Sequence, residues 1–371
     1  VVTIDAETPF TKGSRIYLLE GEQLTVEQLF YALMIESAND AAVALAKEIS
    51  GTTESFAALM NRRAKELGAL HTNFVNPNGL EDEEHVTTAY DLAMIAAAAM
   101  RNAEFRKAAA TYPYTLYQTN MQETRYFYNG NRLLYDEKHT VVYEGVSRPI
   151  KYAGATGIKT GYTAQAGNCL AASAVRGDTE LIAVLLQAEG LNAYLDAISL
   201  FEYGCDNYKS YQAILADDPQ GEVRVKNGAV KTAAIRTKTD AWVTIPASAA
   251  PSLVTTELQL PDRVAAPVTE GQAVGTLRIL LDGEELGAVE LTAAEAVPVG
   301  GPLSRIGITD ETAGLLQRIL IAVLSALFLL TALYAVLKRR QIKRRNRRRE
   351  ARRARLDEEA RKQEEFRRHL M

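Results

Sequence analysis

Cysteine and histidine are scarce: two and four in 371 residues. Cys169 and Cys205 form no metal or redox motif. Cys169 lies in the apolar run CLAASAV, and Cys205 follows Gly204, where a helix is expected to end. Both are expected to be buried thiols rather than a disulfide pair, although an exported domain would permit one. No histidines stand at ligand spacing, so neither a metal site nor a cofactor is expected. His71 and His85 read as loop hydrogen-bonders. Internal repeats are lacking. So are an initiating Met and a signal peptide: the first residue is Val1.

Apolar residues make up 47% and charged residues 24%, ordinary values for globular protein, and the length suits two or three domains. The net charge of −4 hides an asymmetry. From Lys338 onward there are 16 Lys and Arg against 6 Asp and Glu, a balance of +10 that leaves −14 for the rest. The divider is Ile319 to Leu337, 19 residues without a charge. At about 1.5 Å per helical residue such a run spans a hydrocarbon core. The basic stretch KRRQIKRRNRRR follows at once, so the positive-inside rule puts the C-terminal tail in the cytoplasm and residues before about 315 outside. An outside N-terminal part needs an export signal, so the chain is expected to lack its natural beginning. The tail is expected to meet anionic lipid. Nucleic acid is not an expected partner, because no stacking aromatics are interleaved with the charges.

Helical signals fill the first hundred residues. Thr25 and Gln28 form a capping box ahead of Leu29, Leu33 and Met34 at helical spacing. NDAAVALAKEISG predicts a second helix, capped by Asn39 or Asp40 and stopped at Gly51. TTESFAALMNRRAKELG predicts a third, ending at Gly68. Asn76 to Gly79 is a turn signal, and Thr88 with Asp91 opens a fourth helix. Then the period shortens. GIKTGYT, NCLAASAVR and TELIAVLLQAE read as strands, the last two joined by a Gly177-Asp178 hairpin, and NAYLDAISLFEYG closes the unit as a helix. Helices around an antiparallel sheet make an α+β layer. From about Ile214 to Val299, short alternating segments such as AWVTIP and TLRILLDGEELGAVEL predict a small all-β domain. The expected division is therefore 1–213, 214–299, a connector over 300–318, the membrane helix 319–337 and the basic tail 338–371.

Two short motifs carry the chemistry. Ser37-Ala38-Asn39 reads as S-x-N between two helices, and Lys159-Thr160-Gly161 reads as K-T-G on a strand. Each is weak alone. Together, on those elements, they match two of the three motifs of β-lactamases and penicillin-binding proteins. The chain resembles the low-molecular-mass penicillin-binding proteins, the serine-type D-alanyl-D-alanine carboxypeptidases. LEGEQLTVEQLFYALMIESANDAAVALAKEISG is similar to their S-x-N segment. HTNFVNPNGLEDEEHVTTAYDLAMIA is similar to their next loop and helix, and GIKTGYTAQAGNCLAASA to their active-site strand. APVTEGQAVGTLRILLDGEELGAVEL is similar to their C-terminal β domain. The resemblance covers residues 1 to about 300.

It implies an antiparallel sheet with helices packed on it, a helical subdomain and a cleft between them. It implies that a serine attacks the bond between the terminal D-alanines of a peptidoglycan stem peptide, and that β-lactams trap the same serine. Carried over residue by residue, Lys159 and Thr160 bind the terminal carboxylate. Gly161 lets substrate approach the strand, and the Tyr162 N–H belongs to the oxyanion hole. Ser37 relays a proton and Asn39 holds the substrate amide. A second lysine nearby is expected to depress the proton affinity of Lys159. One departure stands out: no lysine has a serine three residues before it, so the family's S-x-x-K pair is missing and would lie before Val1. The chain as it stands is expected to be inactive. The competing readings are a non-catalytic wall-peptide binder of the same fold and a β-lactamase, the latter disfavoured by the β domain and membrane helix.

Overall fold

The computed structural model describes residues 1–369. It divides into two compact units: Val1–Ala213 with Trp242–Val254, and Ile214–Ala241 with the chain from Thr255 onward.

The first unit opens with a minimal pair, β1 (Val2–Thr3) against β2 (Gln23–Leu24). The helices α1 (Val26–Glu36), α2 (Asn39–Ser50), α3 (Thr53–Glu66), α4 (Ala89–Met100) and α5 (Ala103–Ala110) follow. Thr25 and Gln28 do close a capping box at the start of α1. Thr52 and Thr88 cap α3 and α4 by accepting from Ser55 N and Asp91 N. Two hairpins come next: β3 (Pro113–Leu116) with β4 (Arg125–Tyr128), and β5 (Thr140–Tyr143) with β6 (Val146–Pro149). No element was expected from the sequence in that stretch.

The central sheet has three antiparallel strands, β7 (Ala155–Thr163), β8 (Gly167–Arg176) and β9 (Thr179–Ala188), in that spatial order. Its period-2 pattern decides what packs where. Leu170, Ala172 and Ala174 point to one side with Ala183 and Leu185, onto Ala197, Ile198 and Phe201 of α6 (Asn192–Asn207). Ile158, Ala171 and Ile182 meet Ala96 and Met100 of α4 on the other. Phe201 is fully buried, a gain of about 2–3 kcal/mol for a side chain of its class. Helices α1 and α2 share a further core with Leu116 and Phe127 of the first hairpin.

Three details differ from expectation. Helix α6 does not end at Gly204 but runs to Asn207. A Cβ at Gly204 would lie 2.5 Å from Leu181 Cδ1, so that glycine serves helix–sheet contact rather than termination. Cys169 and Cys205 are free, but half-buried rather than buried. The AWVTIP segment forms β13 (Ala241–Pro246), which pairs with β10 (Tyr208–Ile214) instead of joining the larger β sheet.

That larger sheet belongs to the second unit. It contains β11 (Pro219–Lys226), β12 (Thr232–Thr237), β14 (Val254–Gln259), β15 (Val264–Ala265), β16 (Ala273–Leu281) and β17 (Glu284–Ala293). The spatial order is β14-β16-β17-β12-β11-β15. The β16–β17 hairpin turns at Asp282-Gly283, both in the left-handed region, as the DGEE signal predicts. Helix α7 starts at Asp310, inside the expected connector, and runs unbroken to His369. The apolar run Ile319–Leu337 therefore sits within one long helix. Its large side chains are exposed, as a lipid-facing helix requires.

Candidate active site

Where α1 gives way to α2, Ser37 caps α1 in the left-handed conformation (φ 56°, ψ 38°), a place that glycine or asparagine usually takes. A serine there costs on the order of 1 kcal/mol of backbone strain. Buried Ala38 then caps α2 in extended conformation. Neither Asn39 nor Asp40 is the cap that the sequence suggested, because both side chains are committed to the neighbouring loop. Asn39 Nδ2 donates to Lys12 O at 2.9 Å. Asp40, fully buried, accepts from Ile16 N at 3.2 Å and Leu18 N at 3.1 Å. Gly13 lies against this seam at φ 84°, and a Cβ on it would come within 2.3 Å of Asn39 Nδ2.

Lys159 comes from β7, an edge strand of its sheet. An edge leaves backbone groups without a sheet partner, so a peptide can add as a further strand. Lys159 Nζ donates to Ser37 Oγ and, at 3.0 Å, to Thr160 O. The S-x-N serine and the K-T-G lysine, 122 residues apart, thus touch. Burial pushes the Lys159 ammonium down to about 8, and Glu36 pulls weakly the other way. The depression was expected from a second lysine; its cause here is desolvation. Glu36, one residue before Ser37, has its carboxyl raised by burial, against a hydrogen bond from the Tyr128 backbone and the charge of Lys159.

A cleft of about 560 Å³ lies over this contact. Ser37, Asn39, Lys159, Thr160, Gly161 and Tyr162 all line it. A Cβ at Gly161 would meet only Cys169 Cβ, at 3.9 Å, so nothing within the protein demands that glycine. Tyr162 is largely exposed at the cleft, and its backbone is the part of interest. Further lining went unanticipated: Gly130, Asn168 and Tyr194. Tyr194 Oη donates to Gly130 O at 3.2 Å across 64 positions, a link that no local motif signals. The Asn129-Gly130-Asn131 turn was the one available hint.

His71 and His85 lie as loop residues. His71 N donates to Asp91 Oδ2 at 2.7 Å, and His85 Nδ1 accepts from Val75 N at 3.3 Å. Among the described residues no cluster of three or more metal-ligating side chains occurs.

Comparison with known families decides the affiliation. The family model described as D-alanyl-D-alanine carboxypeptidase matches residues 2–190. This chain belongs to the D-alanyl-D-alanine carboxypeptidase family. A second model, the C-terminal domain of penicillin-binding protein 5, matches residues 208–299. D-alanyl-D-alanine carboxypeptidase DacF of Bacillus subtilis is 32% identical over 292 residues, 78% of this chain and 70% of the relative. DacC of Escherichia coli is 30% identical over 300 residues, 80% of this chain and 70% of its own length. The crystal structure of penicillin-binding protein 5 from Haemophilus influenzae superposes with a TM-score of 0.61 at 28% identity, covering 80% of this chain and 82% of that one. The family is one of serine enzymes; this chain joins its α+β fold to a C-terminal β domain and to one helix long and apolar enough to cross a membrane.

Proposed function

We propose that the cleft grips the free-acid end of a peptidoglycan stem peptide and positions the bond between its last two D-alanines. Lys159 supplies the cation and Thr160 a hydroxyl for the terminal carboxylate. A charge-assisted hydrogen bond of this kind contributes about 1.5–3 kcal/mol. The substrate lies along the β7 edge, close to the backbone because Gly161 has no side chain. Asn39, its Nδ2 already held by Lys12 O, uses Oδ1 to accept from the substrate amide. In the family's reaction a serine attacks the carbonyl, D-alanine leaves with a proton, and water releases the acyl-enzyme; the Tyr162 N–H stabilises the tetrahedral oxyanion of each attack. Ser37, in contact with a lysine of lowered proton affinity, relays a proton toward the leaving amine. Penicillins, which the family also binds, occupy the same groups. The contact between Lys159 and Ser37 carries this reading.

The β segment 214–299 links the catalytic part to the span 319–337 in a bacterial cell membrane. The wall-facing part lies outside and the basic tail within, where it meets anionic lipid at about 1 kcal/mol per basic residue near the surface. Nucleic acid has no place in this scheme.

A second reading has a specific observation behind it. No lysine is preceded by serine at three residues, so the chain could bind wall peptide without cleaving it. Covalent penicillin labelling separates the two. The 371-residue chain should take up no covalent label, whereas the protein extended ahead of Val1 by a segment containing S-x-x-K should form a stable adduct that Lys159→Ala weakens. An extended protein that takes up none is a binder only.

A further inference from the structure

We propose that the outer face of the β3–β4 hairpin is a docking platform for the sugar strand of peptidoglycan, beside the cleft that takes the peptide. The register sets the face. Pro113 lies opposite Tyr128 and Thr115 opposite Tyr126, so these four side chains share one side. Their neighbours Leu116 and Phe127 turn inward and are buried in the core. The outer tyrosines are open: Tyr126 is 66% and Tyr128 59% exposed, and Tyr117, one residue past β3 with the same parity, is 73% exposed. Scattered exposed aromatics need no explanation, but three on one short hairpin form a patch. The Tyr128 ring continues into Tyr112, 5.9 Å away, which stacks on Tyr135 at 4.0 Å.

The chemistry of this face selects the occupant. Its four strand residues carry no charge, which disfavours a phosphate or a polyelectrolyte. Tyrosine offers a flat apolar ring, a hydroxyl at its rim and little side-chain entropy to lose. A pyranose is complementary: axial C–H groups make one flat apolar face, and hydroxyls and acetamides ring its edge. Location supplies the second argument. The Tyr128 backbone hydrogen-bonds Glu36, next to Ser37, and two residues later Gly130 lines the cleft. The second strand of the hairpin thus leads directly into the lining of the peptide site. A stem peptide is covalently attached to an N-acetylhexosamine strand, so one substrate can occupy both surfaces. The inference rests on the stem-peptide reading for its occupant.

The test uses two probes separately: peptide-free N-acetylhexosamine strands, and a soluble peptide ending in D-Ala-D-Ala. The intact protein in detergent should bind both. Tyr126→Ala with Tyr128→Ala should weaken the glycan by at least fivefold and leave the peptide unchanged, while Tyr126→Trp with Tyr128→Trp should keep the glycan. Thr115→Arg, which sets a long charged side chain opposite Tyr126, should also weaken it, and decides the matter if the alanine variant misfolds. The platform is overturned if glycan strands do not bind, if these variants bind them like the parent, or if the alanine pair only dissociates a dimer in sedimentation. Loss of peptide binding with glycan binding kept would instead refute the stem-peptide reading and leave the platform standing.

Discussion

Lys159 holds a strand-edge position where a solvated lysine would be unremarkable, yet it is half-buried and hydrogen-bonded to Ser37. Its proton equilibrium follows. With its pKa depressed to about 8, it is mostly charged at neutral pH and loses that charge as pH rises through this value. Affinity for a peptide ending in a free carboxylate should therefore hold below pH 8 and fall above it. An isothermal titration series from pH 6 to about 10 reads this directly, and a flat profile would remove the carboxylate-binding role. Stability moves oppositely: because the folded pKa is depressed below the ordinary lysine value of 10.5, the unfolded chain binds more protons between about 8 and 10.5, and folding should gain from rising pH there. Gly161 makes a sharper case. Since a Cβ there meets only Cys169 at ordinary contact distance, Gly161→Ala should change stability by less than about 0.5 kcal/mol yet reduce peptide binding severalfold. Equal binding by parent and variant would mean that no substrate backbone approaches this strand.

At the scale of elements, the cleft depends on a scaffold tied by polar contacts as well as packing. Glu22, fully buried, takes Arg125 Nη2 at 2.6 Å, Gln122 Nε2 at 2.7 Å and Thr119 Oγ1 at 2.9 Å. This network fastens the β1–β2 region to the β3–β4 hairpin. Arg125→Ala strands a buried carboxylate and should cost about 3–5 kcal/mol, visible as a lowered melting temperature, with Glu22→Gln in the same background restoring part of it. No recovery in the double variant would argue that the arginine acts by packing alone. Elements with long periods or strong caps were legible in the sequence: α1 from its capping box, the β8–β9 hairpin from Gly177-Asp178 between two apolar runs. The β3–β6 strands were not, because four-residue strands carry too few turns of the period to register. The Asn39 cap was misjudged for a related reason. Asx residues at a helix start serve caps and loop clamps equally well, and only the Lys12 carbonyl decides between them. K-T-G and S-x-N were readable because short motifs fix backbone and side chain together. Glu36, Gly130 and Tyr194 join the site through tertiary contacts that leave no local trace.

For the whole molecule, the proposed topology places the acidic part before the apolar run outside the membrane and the tail of +10 inside. Trypsin added to intact cells should degrade the part before the span while the arginine-rich tail stays protected until the membrane is opened; prompt loss of a C-terminal tag would reverse the topology. At its centre, a half-buried cation beside a serine is proposed to recognise a free acid end. The most direct measurement is the affinity of the intact protein at pH 7 for a D-Ala-D-Ala peptide and for the same peptide with its terminal carboxylate amidated, in the parent and in Lys159→Gln. The account predicts that the acid binds about 10- to 100-fold tighter than the amide, and that the substitution abolishes this preference. Equal binding of acid and amide by the parent, or an undiminished preference in the variant, would contradict it.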